Sequence, residues 1–134
     1  MPPFSMNGRR VIDIHNHILP GVDDGAKSMA EALEMARIAE RDGIHVIVAT
    51  PHHFPEEGGS FVQQARTRVA ELQANAREQG LSLAFETGQE IMAVPEVSQR
   101  LQEGEAVPLA GTRYLLVEPP FTSYPPYVEE LLFQ

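Results

Sequence analysis

The stretch IDIHNHILPGVDDG, residues 12–25, sets His15 and His17 two apart after an apolar residue pair and follows them with Asp23 and Asp24. In an extended segment residues i and i+2 face the same side, so both imidazoles can point into one pocket. Three further apolar runs end the same way: HVIVAT leads to His52 and His53, LSLAFE leads to Glu90, and RYLLVE ends on Glu118. Imidazole nitrogen together with carboxylate oxygen suits zinc, manganese or iron, and a carboxylate such as Glu90 can bridge two ions. Two ions held that way can orient and ionise a water while neutralising the charge of a phosphoryl group.

Each residue also has an ordinary reading. An isolated His-x-His pair at a strand end is more often hydrogen-bonded than metal-bound. Asp23 and Asp24 beside Gly25 are turn formers by default. One of His52 and His53 is expected to be a plain loop residue, and His45, ahead of its apolar run, is expected to be structural. Glu90 and Glu118 taken singly read as surface acids. What favours a metal site is their joint position at the ends of four predicted strands, the edge where parallel α/β folds collect functional side chains.

The elements that would place them follow from the patterning. RRVIDIH reads as a short buried strand ending near His15, and LPGVDDGAKS as a loop. Ser28 with Glu31 three residues on has the spacing of a capping box. Met29, Ala32, Leu33, Ala36 and Ala39 follow at helical spacing, with Gly43 as the stop. HVIVAT (45–50) is a second strand. Val62, Ala65, Val69, Leu72 and Ala76 form a second helical stripe ended by Gly80. LSLAFE (81–86) is a third strand, residues 95–103 a shorter helix, RYLLVE (113–118) a fourth strand, and PPYVEELLF the start of another helix. Four alternations of strand and helix predict βαβ units and a mostly parallel sheet, half the number of a (β/α)₈ barrel.

Bulk properties narrow the function classes. The 134 residues suffice for one domain with a genuine core. The absence of cysteine rules out disulfides and thiolate metal sites within the chain, and a net charge of −9 argues against a broad nucleic-acid footprint. The polar MPPFSMNGRR, residues 1–10, reads as a flexible N-terminus without the apolar segment of a signal peptide, and no run approaches the roughly 20 apolar residues of a membrane span. A cytoplasmic protein is the expectation.

The blocks DIHNHILPGVDDGAKS, ATPHH, GQEI and YLLVEPPF resemble, in order and spacing, the polymerase and histidinol phosphatase (PHP) superfamily. Within it they are most similar to the bacterial manganese-dependent protein-tyrosine phosphatases of capsule and exopolysaccharide operons. The resemblance runs from Val11 to the last residue and implies one PHP-like metal-dependent phosphatase domain over 11–134. It implies an α/β fold, the N-terminal half of a distorted (β/α)₇ barrel with a mostly parallel sheet. It implies a site of two or three divalent ions, manganese foremost with iron or zinc as alternatives. His15 and His17 would bind the first ion, Glu90 would bridge first and second, Glu118 would help bind the second, and Asp24 and His52 would bind the third. His53 matches no ligand of the family. A metal-bound hydroxide would serve as nucleophile, with no catalytic residue beyond the ligands. The implied partner is a phosphotyrosine protein, the tail of a kinase controlling polysaccharide export, with neither nucleic acid nor membrane insertion.

Members of that family are about twice this length. Their remaining ligands, a histidine in an HPER-like segment and an Asp-x-His pair, lie in the second half beside a substrate-binding arginine. The chain is therefore expected to be a half cut short at its C-terminus, weak in metal binding by itself and prone to self-association. Three other readings compete. A small-molecule phosphoesterase such as histidinol phosphatase shares the fold. An amidohydrolase also opens with His-x-His, but its bridging lysine has no counterpart, since the only lysine is Lys27 in a loop. The last is an inactive half-barrel that needs a partner.

Overall fold

A computed structural model describes residues 8–134. The expectation of a flexible segment over 1–10 falls, for residues 1–7, outside the described residues. The elements run β1 (Val11–Asn16), α1 (Met29–Arg41), β2 (Ile44–Ala49), α2 (Gly58–Glu78), β3 (Ala84–Thr87), β4 (Glu90–Met92), α3 (Val97–Glu103), β5 (Leu116–Glu118) and α4 (Pro126–Leu132), with a single 3-10 turn at Leu109–Gly111. Every strand pairing is parallel: β1–β2–β3 form one sheet and β4–β5 a second. A lone parallel bridge between His52 and Glu90 joins the two.

The two long helices form as their apolar stripes predict. Ser28 caps α1 by accepting the Glu31 amide at 3.2 Å, while Glu31 reaches back to the Lys27 amide at 3.4 Å rather than to that of Ser28. Ala32, Leu33, Ala36 and Ala39 of α1 and Ala65, Val69, Leu72 and Ala76 of α2 bury against Ile47, Ala49 and Phe85 of the sheet. This is the main core, and it holds rigid the strand ends that carry the site.

Four sequence expectations need correction, the simplest being that β5 starts at Leu116, not at Arg113. The four-strand alternation is five strands among the described residues, because β3 leads into β4 with no helix between them. Gly88 makes that passage possible. A Cβ there would come within 2.8 Å of the Val48 Cγ1 and 3.0 Å of the Leu109 Cδ2. The third strand starts at Ala84, not at 81. Glu40 takes the amides of Ser82 and Leu83 (2.6 and 3.0 Å), while Gln73 takes that of Phe85 and donates to the Leu83 carbonyl. Side chains of the two helices thus satisfy backbone groups that a strand would have paired. Finally, β1 is not a buried strand. It lies at the sheet edge, and Ile12 and Ile14 are each 52% exposed on the face that α1 and α2 leave bare.

Leu72 is fully buried at the centre of this packing. Leu72→Ala is expected to lower stability by about 2–5 kcal/mol, as large-to-small core changes do. Denaturant unfolding followed by circular dichroism measures it, and a loss below about 1 kcal/mol would show that this helix–sheet contact is not the core.

Candidate metal centre

The ends of β1, β2, β4 and β5 converge. His15 is the next-to-last residue of β1, where the register with β2 slips by one residue between Asp13 and Asn16. Such a bulge re-aims side chains. Asp13 stabilises it, accepting the His15 amide at 3.0 Å and the Asn16 side-chain amide at 2.9 Å. Thr50 at the end of β2 ties down the same strand end, its hydroxyl accepting the Asn16 amide at 2.8 Å and its own amide donating to the Asn16 carbonyl at 2.9 Å.

Beyond β2 the chain stays extended. His53 donates its amide to the Glu90 carbonyl at 2.9 Å, and Glu90 donates its own to the Pro51 carbonyl at 3.0 Å. These two bonds set His52 beside Glu90. In the neighbouring register Met92 pairs with Glu118.

The six residues singled out as ligands are brought together. Glu90 Oε2 lies 3.4 Å from His15 Nε2, 3.0 Å from His17 Nε2 and 3.4 Å from His52 Nδ1. Glu118 Oε2 is 3.5 Å from the same His52 Nδ1, and Asp24 Oδ1 is 3.1 Å from His52 Nε2. Three overlapping donor groups result: His15, His17 and Glu90; His52, Glu90 and Glu118; and His17, Asp23, Asp24 and His52. Within each, the donor atoms lie within 4.8 Å of one another.

The chemistry of this set fits a divalent cation. Glu90 Oε2 is buried and has no hydrogen-bond partner, because the three surrounding ring nitrogens are close without being aligned to donate. A buried anionic oxygen without a donor is costly, and a cation among the same nitrogens removes that cost. Glu90 belongs to two of the groups, the position a bridging carboxylate requires.

Two residues carry more than their sequence reading. His53 lies in the loop after β2, as expected of one of the pair, but it is packed inside. It is fully buried with neither ring nitrogen hydrogen-bonded. Burial and the nearby charge of Arg100 push its pKa down, against the smaller opposing effect of Glu56, so the ring stays neutral as packing. It belongs to none of the donor groups. Asp23 reads from its place beside Gly25 only as a turn former. It does accept the Gly25 amide at 3.0 Å, but its Oδ2 also meets His17 Nδ1 at 2.9 Å and the His52 amide at 2.9 Å. No spacing rule separates it from Asp24; the contact arises only when two distant loops meet. His45 is exposed and accepts the Val11 amide at 3.3 Å, the structural role expected of it.

The loop geometry depends on Gly25. A Cβ there would lie 1.9 Å from the His17 carbonyl oxygen, so no side chain fits between the Asp23–Asp24 turn and the His17 backbone.

Residues 11–132 match the family model described as capsular polysaccharide synthesis, CpsB/CapC. The chain belongs to the CpsB/CapC family. It is 43% identical over 125 residues to the tyrosine-protein phosphatase YwqE of Bacillus subtilis, covering 92% of this chain and 48% of that protein. It is 35% identical over 124 residues to a putative tyrosine-protein phosphatase CapC of Staphylococcus aureus, covering 92% and 49%. Among solved structures, work on YwqE of B. subtilis and CpsB of Streptococcus pneumoniae, described as unique metal-dependent tyrosine phosphatases, superposes with a TM-score of 0.84 at 40% identity. That match covers 92% of this chain and 50% of the solved one. The chain thus spans about half the length of the relatives it matches.

The charge environment sets a pH dependence. Burial opposes a charge on His17, but the hydrogen bond and charge of Asp23, with Glu90 and Asp24, outweigh it and raise the pKa above the ordinary 6.5. An imidazole must lose a proton to bind metal, so protons compete for His17 up to that raised value. The apparent affinity for Mn²⁺ is expected to keep climbing as pH passes 6.5 and to level off only above it. Calorimetric titration across a pH series checks this, and a plateau reached below 6.5 would contradict the assignment.

Proposed function

We propose that the chain is the metal-ligating part of a metal-dependent protein-tyrosine phosphatase. Its five strands would form half of a distorted barrel of the PHP type. The observation that carries the proposal is the buried, donorless Oε2 of Glu90 at the meeting point of three imidazoles from two strand ends. The names of its relatives in the CpsB/CapC family supply the reaction.

His15, His17 and Glu90 would hold one ion, Glu90, Glu118 and His52 a second, and Asp24 and His52 a third. Manganese is the proposed metal, with iron or zinc accepted by the same donors. Divalent ions held by these residues would supply an acidified water and positive charge against a phosphoryl group. The chain's own contribution is placement. The bulge in β1 turns His15 and His17 toward Glu90, and the bridge from His52 to Glu90 fixes the spacing between donor groups. With no cysteine in the chain, a thiol nucleophile from these residues is ruled out.

An apolar recess of about 130 Å³ opens beside Glu118, lined by Met92, Val94, Pro119, Phe121 and Tyr127 among others. An aryl ring fits such a surface better than a polar sugar or amino alcohol does, which favours phosphotyrosine over a small metabolite. The proposed substrate is a phosphotyrosine protein, the tail of a kinase of polysaccharide export, met in the cytoplasm. Among the described residues no helix is long and apolar enough to cross a membrane.

Turnover of a phosphotyrosine peptide by a protein that carries these residues at the full length of the relatives is expected to require added Mn²⁺, to vanish on chelation, and to survive thiol alkylation. Glu90→Gln is expected to lower it by more than the roughly 10–100-fold typical of changes outside the ligand set, while His45→Ala leaves it intact. Preference for a small aliphatic phosphoester over the peptide would overturn the substrate assignment, and activity in excess chelator would overturn the metal.

A further inference from the structure

The two adjacent acids of the first loop occupy opposite environments. The Asp24 side chain is 77% exposed, with one oxygen beside His52. The Asp23 side chain is 2% exposed, and each of its oxygens is already engaged. Oδ1 accepts the Gly25 amide, and Oδ2 accepts both the His17 ring and the His52 amide.

We propose that Asp23 is a positioning residue of the metal centre and not a ligand: it holds His17 in the tautomer that leaves Nε2 free for an ion, and it fixes the main chain of His52 at the same time. The proposal rests on the metal-centre reading above. An ionised carboxylate can only accept, so the proton of the shared contact sits on His17 Nδ1. The main-chain amides of His52 and Gly25 already donate to the same carboxylate, so it presents only acceptor positions to the ring. His17 Nε2, on the far side of the ring, then faces Glu90 Oε2 at 3.0 Å. Metal-bound histidines characteristically donate their other nitrogen to a carboxylate in this way, which fixes ring orientation and raises ligand basicity.

What is particular here is the second contact. His17 belongs to the β1 end and His52 to the β2 end, 35 residues later, and one oxygen of Asp23 binds both. Turning Oδ2 toward an ion would strip a partly buried ring N–H and a main-chain N–H of their acceptor together. That cost separates Asp23 from Asp24, although Asp23 lies close enough to belong to the same donor group.

Asp23→Asn tests the proposal. The side-chain amide keeps the shape but can donate to His17 Nδ1, which shifts the ring toward the Nε2–H tautomer and blocks that nitrogen. Titration of the full chain with Mn²⁺, by calorimetry and by electron paramagnetic resonance of the bound ion, is expected to give an unchanged number of ions bound roughly 10–100-fold more weakly. Loss of a whole equivalent of metal would make Asp23 a ligand and overturn the proposal, and so would unchanged affinity.

A measurement on the unsubstituted chain guards against a variant that does not fold. In the Zn²⁺-loaded form, ¹⁵N shifts are expected to show His17 protonated at Nδ1 and coordinated through Nε2. Coordination through Nδ1 would overturn the proposal in any folded state. If the unsubstituted chain takes up neither ion, the metal-centre reading itself falls, an outcome distinct from a normal centre that ignores Asp23.

Discussion

The site depends on a pair of backbone hydrogen bonds: the His53 amide to the Glu90 carbonyl, and the Glu90 amide to the Pro51 carbonyl. They form the only ladder contact between the two sheets among the described residues. Because both involve Glu90, the contact that joins the sheets also carries the central carboxylate to its place. The main chain is held by peptide groups that cannot be repositioned singly, so the side chain of Glu90 enters the imidazole cluster from a fixed direction. Placing a charged group there costs desolvation, and the sheet packing below it must outweigh that cost.

Rigid support explains how so small a chain holds so many polar groups near one point. The core of α1, α2 and the first sheet anchors the ends of β1 and β2. Thr50 ties those ends together, and Asp13 closes the bulge that aims the histidines. The Asp23 turn then links the two loops, with Gly25 allowing it to lie against the His17 backbone. Sites need such outer support to keep donor geometry, and here the polar supporting groups sit within β1, just past β2 and in the turn that follows β1. The acidic balance of the chain is compatible with an anionic substrate because bound cations would reverse the local field.

Much of this was open to reading from the residues alone, for identifiable reasons. Helices α1 and α2 are long and amphipathic, so their stripes predicted their buried faces, with Met29 only partly buried and Phe61 of α2 buried in addition. Five of the candidate donors, His15, His17, His52, Glu90 and Glu118, stood out because they stand at or just beyond the ends of apolar runs, Asp24 only through the family resemblance, and the fold brings all six together. β4 was hidden because three residues, Glu90–Met92, carry no period. The start of β3 was misplaced because Leu81 and Leu83 look strand-like, while Glu40 and Gln73 bind the backbone there. β5 is shorter than RYLLVE suggests because the Tyr114 carbonyl accepts from Leu109 and its amide donates to Thr112, outside any sheet. The resemblance separates His52 and Asp24 from their neighbours as ligands, but the contacts of Asp23 and the burial of His53 were not legible, since they arise between loops that meet only in three dimensions.

The central claim is that these strand ends form one multinuclear cation site organised around Glu90. Diffraction from crystals of the full chain grown with Mn²⁺, recorded at the manganese absorption edge, tests it most directly. The account predicts anomalous peaks on both sides of the Glu90 carboxylate, one within bonding distance of His15 and His17 and another within bonding distance of His52 or Glu118. Clear density for all six side chains with no peak at Glu90, or manganese bound only elsewhere on the surface, would contradict it.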